Sequence, residues 1–141
     1  MKTTLVFVYG TLKRGHANNA LLQTEYVREK SDPGFYARFK GRGSIRNFTA
    51  VNAPSFPWAI EALGYYLWGE VYEVGPRVLY WLDQLEGFTD DGKPTIYDKK
   101  FVQVALDDGD VVDAVIYYTY PELYPEIPRL TAKYGTTDDW R

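Results

Sequence analysis

Residues 5–15 read LVFVYGTLKRG, and the reading of that stretch decides what fold can surround it. Leu5–Tyr9 is a run of β-branched and aromatic residues halted by Gly10, which predicts a strand running into a turn. Backbone N–H groups exposed at such a turn suit something negative. A phosphate is the first candidate, because Gly10 and Gly15 satisfy G-x-x-x-x-G. A phosphate loop then needs Lys and Ser or Thr directly after the second glycine, to hold the terminal phosphates and magnesium. His16 and Ala17 stand there instead, Lys13 lies inside the loop, and no acidic strand end for the metal is evident. Half a motif argues against a nucleotide fold and leaves the turn open to another negative guest.

Working outward, a short helix is expected over Asn18–Gln23, with Ala20, Leu21 and Leu22 as its apolar side. Asp32-Pro33-Gly34 signals a turn, and strand-like pieces follow at Phe35–Phe39 and Phe48–Val51. Pro54 and Pro57 lack N–H groups, so regular structure should break over Ala53–Trp58. Leu67–Val74 alternates as a strand. Pro76 then suits the first position of a helix in which Val78, Trp81/Leu82 and Leu85 recur at helical spacing, closed by Gly87. Lys100–Leu106 and Val111–Tyr120 flank Asp107-Asp108-Gly109-Asp110 as a hairpin. These elements give an α+β domain over residues 1–141, a small mixed β-sheet curling into a barrel with two short helices. Three prolines and few apolar residues make 121–141 an irregular tail draped over the body.

Composition narrows the chemistry. The chain has 141 residues, 45% hydrophobic and 25% charged, as an ordinary globular domain does. It shows no apolar run long enough to span a bilayer and no signal peptide, so a cytoplasmic protein with no membrane partner is expected. There is no Cys, hence no thiol nucleophile, disulfide or cysteine metal site, and with His16 as the one His a multi-His zinc site is excluded. Acid–base work falls to Glu, Asp, Tyr or Lys. Residues 1–50 hold nine Lys/Arg against three Asp/Glu, and residues 51–141 seven against sixteen, so charges of +6 and −9 lie behind the net −3. The basic stripe Arg38, Lys40, Arg42 and Arg46 sits in KGRGSIRNF, which echoes an RNA-recognition motif. Arg42 and Ser44 occupy the places of its stacking aromatics, so a solvated strand face is expected and no nucleic acid partner.

One carboxylate is chemically suggestive. In 77-RVLYWLDQLEG-87, Asp83 and Glu86 lie three apart and share a helix face. Glu86 is the last residue before the closing glycine, where unpaired carbonyls, the negative end of the helix dipole and Asp83 all favour its protonated form. Such a carboxylate is a better base than an exposed one; the plainer reading is a solvated acidic helix end. Trp58, Tyr97, Tyr117 and Tyr118 could line a pocket, though aromatics in strands more often pack in a core.

Taken together, LVFVYGTLKRG (5–15), Pro57-Trp58, GEVYEV (69–74) and LDQLEG (82–87) followed by Tyr97 stand in an order that resembles the γ-glutamylcyclotransferase-like family, most closely its γ-glutamylaminecyclotransferases. The resemblance implies the γ-glutamylcyclotransferase-like fold and an enzyme that frees an amine from a small-molecule γ-glutamyl amide, forming 5-oxoproline. It implies no cofactor and no metal. By position, Glu86 matches the family's general base, and Tyr9, Gly10, Thr11 and Leu12 match its substrate-binding loop. The alternative it leaves is a non-catalytic small-molecule binder on the same fold. Ala17-Asn18-Asn19 replaces the family's Pro-Asn-His, and Tyr97-Asp98-Lys99 replaces Tyr-x-Arg; these departures bear on which amine is released.

Overall fold

The computed structural model describes residues 2–10, 34, 36–53, 58–85 and 97–139. In chain order the elements are β1 (Thr4–Val8), β2 (Ala37–Val51), β3 (Trp58–Val74), α1 (Pro76–Leu85), β4 (Asp98–Leu106), β5 (Val111–Tyr118), α2 (Ile127–Tyr134) and β6 (Thr136–Thr137). The helix expected at Asn18–Gln23 lies outside the described residues.

The strands run β3-β1-β5-β4-β2, and β2 pairs again with β3, so the sheet closes into a five-stranded barrel. β1 and β5 are parallel and the other barrel pairs antiparallel, which makes the barrel mixed. The mixed sheet curling into a barrel is therefore what the chain forms. Closure removes the unpaired edges that an open sheet presents.

Two apolar layers follow. Phe7, Ile45, Phe48, Leu67, Val71, Val104 and Ile116 come from all five strands and fill the barrel. Alternate residues of the same strands, among them Val6, Val8, Tyr72, Val74 and Tyr117, face outward under Val78 and Leu82 of α1 and Ile127 of α2. Leu82 is the buried member of the Trp81/Leu82 pair, and Trp81 is exposed on the outer side of α1. Gly75 accepts the Leu79 N–H and so begins α1, with Pro76 in the first turn where its missing N–H costs nothing.

Two glycines face each other across β2 and β3, Gly43 opposite Gly69. A Cβ on Gly69 would sit 2.3 Å from the Val8 carbonyl oxygen and 2.6 Å from the Phe7 ring. On Gly43 it would lie 2.7 Å from the Ala105 carbonyl oxygen.

Two expectations differ from the structure. The strand pieces expected at Phe35–Phe39 and Phe48–Val51 meet in one strand, β2, which takes in Ala37–Phe39 of the first and runs through the basic stripe between them. Its register shifts at Phe39/Gly41 and again at Arg46/Phe48, where Asn47 has φ 66°. Each extra residue exchanges the two faces, so Phe39 packs under the helices while Ile45 points into the barrel. Arg38, Lys40, Arg42 and Arg46 are exposed along it, as a solvated face requires. The tail is also more ordered than expected. Pro128 falls in the first turn of α2, where proline is tolerated, Ile127 is buried, and β6 pairs with Ala50 and Val51 of β2.

Candidate active site

Because β1 and β5 are parallel, Tyr9-Gly10 and Tyr117–Thr119 leave the barrel at the same end. Tyr9 is buried and stacks on Phe7 inside the barrel. Its hydroxyl donates to the Tyr117 carbonyl oxygen at 2.7 Å and accepts the Ala59 N–H at 3.2 Å. A phenol has one proton, and here it ties the end of β1 to β5.

Tyr117 also reaches the other way. Its hydroxyl donates to Asp83 Oδ1 of α1 at 2.5 Å. Lys99, paired with Tyr117 across β4 and β5, places Nζ 3.1 Å from both oxygens of the same carboxylate. One residue of β5 thus joins the last turn of α1 to the end of β1. The side chains of Asp83 and Lys99 are 17% and 27% exposed, so water screens the pair only partly.

The Asp83 carboxylate is balanced by the Lys99 ammonium and held by the Tyr117 hydroxyl; the repulsion expected between Asp83 and Glu86 falls on a residue outside the described ones. Lys99 supplies the cation at this carboxylate. Removing Asp83 is expected to cost stability. Hydrogen bonds to a charged group contribute about 1.5–3 kcal/mol each, and Asp83→Ala should lower the unfolding free energy by about 2 kcal/mol in denaturant titrations. In a double-mutant cycle, Asp83→Ala and Tyr117→Phe should couple by about 1 kcal/mol; additive losses would mean that the two groups act apart.

Of the site residues read from the sequence, Tyr9 and Gly10 are placed at this junction. Thr11, Leu12 and Glu86 lie outside the described residues; Glu86 follows α1 directly in sequence, after Leu85. Trp58, Tyr97 and Tyr117 are buried in the layer between barrel and helices. Tyr118 packs edge-on against Phe48, and burial with the Asp98 and Glu61 carboxylates pushes its phenol above the usual value, keeping it neutral. The sequence marks Lys99 only as a departure from Tyr-x-Arg and gives no sign of Ala59; their partners lie 16 and 50 residues away.

A hollow of about 450 Å³ lies at the bulge between β2 and β3, lined by Arg46, Asn47, Phe48, Glu61, Ala62, Leu63 and Lys100. Lys100 pairs with Glu61 and lies over the rings of Phe48 and Tyr118. None of the site residues read from the sequence lines it. Among the described residues, no group of three or more His, Cys, Asp or Glu could hold a metal, and no helix is long and apolar enough to cross a membrane.

Comparison with known proteins places these features in a wider set. The family model described as "Gamma-glutamyl cyclotransferase, AIG2-like" matches residues 6–141. A relative from Methanocaldococcus jannaschii is 30% identical over 137 residues, 96% of this chain and 97% of that protein. The gamma-glutamylaminecyclotransferase of Rattus norvegicus is 32% identical over 126 residues, covering 81% of this chain and 76% of its own. The crystal structure of an AIG2-like protein from Mus musculus has the same fold, with a TM-score of 0.65 and 32% identity over 87% of this chain and 83% of that one.

Proposed function

Since the chain belongs to the gamma-glutamyl cyclotransferase, AIG2-like family, we propose that it releases an amine from a γ-glutamyl amide and closes the glutamyl part into 5-oxoproline, with Glu86 carrying the proton. The observation that supports this most directly is the double reach of Tyr117, which holds the last turn of α1 beside the end of β1. The carboxylate and the glycine loop that the reaction needs are the next residues along those two elements.

The reaction is an intramolecular aminolysis. The substrate's α-amine attacks its own γ-carbonyl carbon, the new C–N bond closes a five-membered ring, and the old amide C–N bond breaks. No water is consumed and nothing is oxidised or reduced. Near neutral pH the α-amine is mostly protonated, so a base must take that proton first and return it to the departing amine. Glu86, just past the C-terminal end of α1, is the group for both transfers, and the helix dipole there favours its taking the proton. Attack turns the carbonyl oxygen into an oxyanion, and backbone N–H groups of Gly10, Thr11 and Leu12 are the donors for it. One such donor typically contributes ~3–4 kcal/mol to the transition state. Binding the glutamyl part folded back on itself supplies the proximity that a free chain lacks.

Incubation with a panel of γ-glutamyl amines tests this reading. The expected result is 5-oxoproline and free amine in equal amounts. Tight binding without product from any of them would overturn the enzyme and favour a binding module on the same fold.

A further inference from the structure

Thr119 carries a fully buried hydroxyl at the end of the barrel where Tyr9 and Gly10 emerge: the residue is 0% exposed. Among the described residues its Oγ1 has no hydrogen-bond partner. A buried polar atom left unpaired is rare in folded proteins and calls for an explanation.

Its position supplies one. The Thr119 N–H donates to the Ala59 carbonyl oxygen at 2.8 Å, and the Ala59 N–H meets the Tyr9 hydroxyl, so Tyr9 and Thr119 are held by the two backbone groups of one residue. Continuing the parallel register of Val6 with Val115 by four residues sets Thr119 level with Gly10. Thr119 also bridges Ile60, which packs in the layer beneath the helices, so its side chain shares that face. It is the face on which the Tyr117 hydroxyl, two residues earlier, meets Asp83 of α1.

We propose that the Thr119 hydroxyl is a substrate contact, hydrogen-bonded to the glutamyl part of the γ-glutamyl amide. The inference rests on the cyclotransferase reading above and names a residue for it outside the Tyr9–Leu12 loop and Glu86. A hydroxyl offers one proton and two lone pairs, so it can serve the α-carboxylate as donor or the α-amine as acceptor. Its place level with Gly10, at the start of the loop that this reading gives to the γ-carbonyl, assigns it to the invariant glutamyl half.

The test compares hydroxyl present with hydroxyl absent at matched shapes: wild type against Thr119→Val, and Thr119→Ser against Thr119→Ala, with Thr131→Val as control. Thr131 on α2 also carries an unpartnered buried hydroxyl but lies on the helix packed over β2. Removing the Thr119 hydroxyl should lower kcat/KM by about ten- to a hundredfold, as expected for one lost hydrogen bond to a charged group. The factor should be the same for every amine of the panel, and Tm should hold or rise because an unsatisfied buried group is gone. Thr131→Val should leave kcat/KM unchanged. If Thr119→Val does not fold, the Ser/Ala pair gives the same comparison.

Unchanged kcat/KM in Thr119→Val overturns the proposal, and a lowered Tm with intact activity does so by assigning the hydroxyl to the fold. A loss that varies with the amine overturns the glutamyl assignment by placing the contact on the leaving group. If wild type makes no 5-oxoproline from any amine, the cyclotransferase reading fails on its own. Calorimetric titration with the same γ-glutamyl amines then decides about Thr119: tenfold weaker binding in Thr119→Val supports the contact, and equal or absent binding overturns it.

Discussion

Glu86→Gln is expected to slow 5-oxoproline formation by about a thousandfold or more while substrate affinity changes only a few-fold. Positioned acid–base groups contribute about 10²–10⁴-fold to a rate, and here one carboxylate would act twice, first as base and then as acid. Gln keeps the size and polarity of the side chain but has no oxygen basic enough to take the ammonium proton. Loss in kcat with a preserved dissociation constant is therefore the signature, read by single-turnover kinetics beside calorimetry. Full activity in this variant would remove Glu86 from the mechanism and return it to the role of a solvated helix end.

The largest effect on stability is expected from Gly69→Ala. The added methyl would lie 2.3 Å from the Val8 carbonyl oxygen and 2.6 Å from the Phe7 ring, and both belong to the paired strand β1. A flexible side chain could step aside, but a backbone carbonyl inside a barrel ladder cannot. Relief requires β3 to separate from β1, and overpacking of this kind costs about 3 kcal/mol or more. Denaturant midpoints should show it, and because Val8 precedes Tyr9, activity in the folded fraction should fall as well. Gly64→Ala is the control: its φ of 87° disfavours a side chain, but no atom lies within 4 Å of the new Cβ. It should cost about 1 kcal/mol. Equal losses at the two positions would mean that crowding at Gly69 is not what fixes glycine there.

These elements also show what could be read from the chain beforehand. β1, α1 and the β4–β5 hairpin were legible because each announces itself within a dozen residues, by apolar alternation, helical spacing, or the Asp107–Asp110 turn. β2 and β3 were read only in pieces. Two register shifts in β2 reverse the meaning of odd and even positions, and four residues of β3, Ala62 to Tyr65, bulge out opposite Asn47. Alternation cannot be followed through such interruptions. The eight residues of α2 were hidden by prolines, which forbid a helix interior and permit its first turn. At the site, the glycine turn and the suspicious carboxylate were local signals. The Asp83–Lys99–Tyr117 cluster and the Ala59 junction were not, since each joins residues that only barrel closure brings together.

That junction has a consequence for how the protein comes into being. Tyr9 is made well before Tyr117, yet its hydroxyl closes on the Tyr117 carbonyl oxygen, 108 positions later. On a ribosome the glycine loop and Glu86 would leave the exit tunnel long before β5 does. Until Tyr117 and Thr119 have emerged, β1 has no parallel neighbour, and its apolar residues must wait or be sheltered by a chaperone. A nascent chain stopped short of β5 would carry Tyr9 and Asp83, and still lack the residue that joins them.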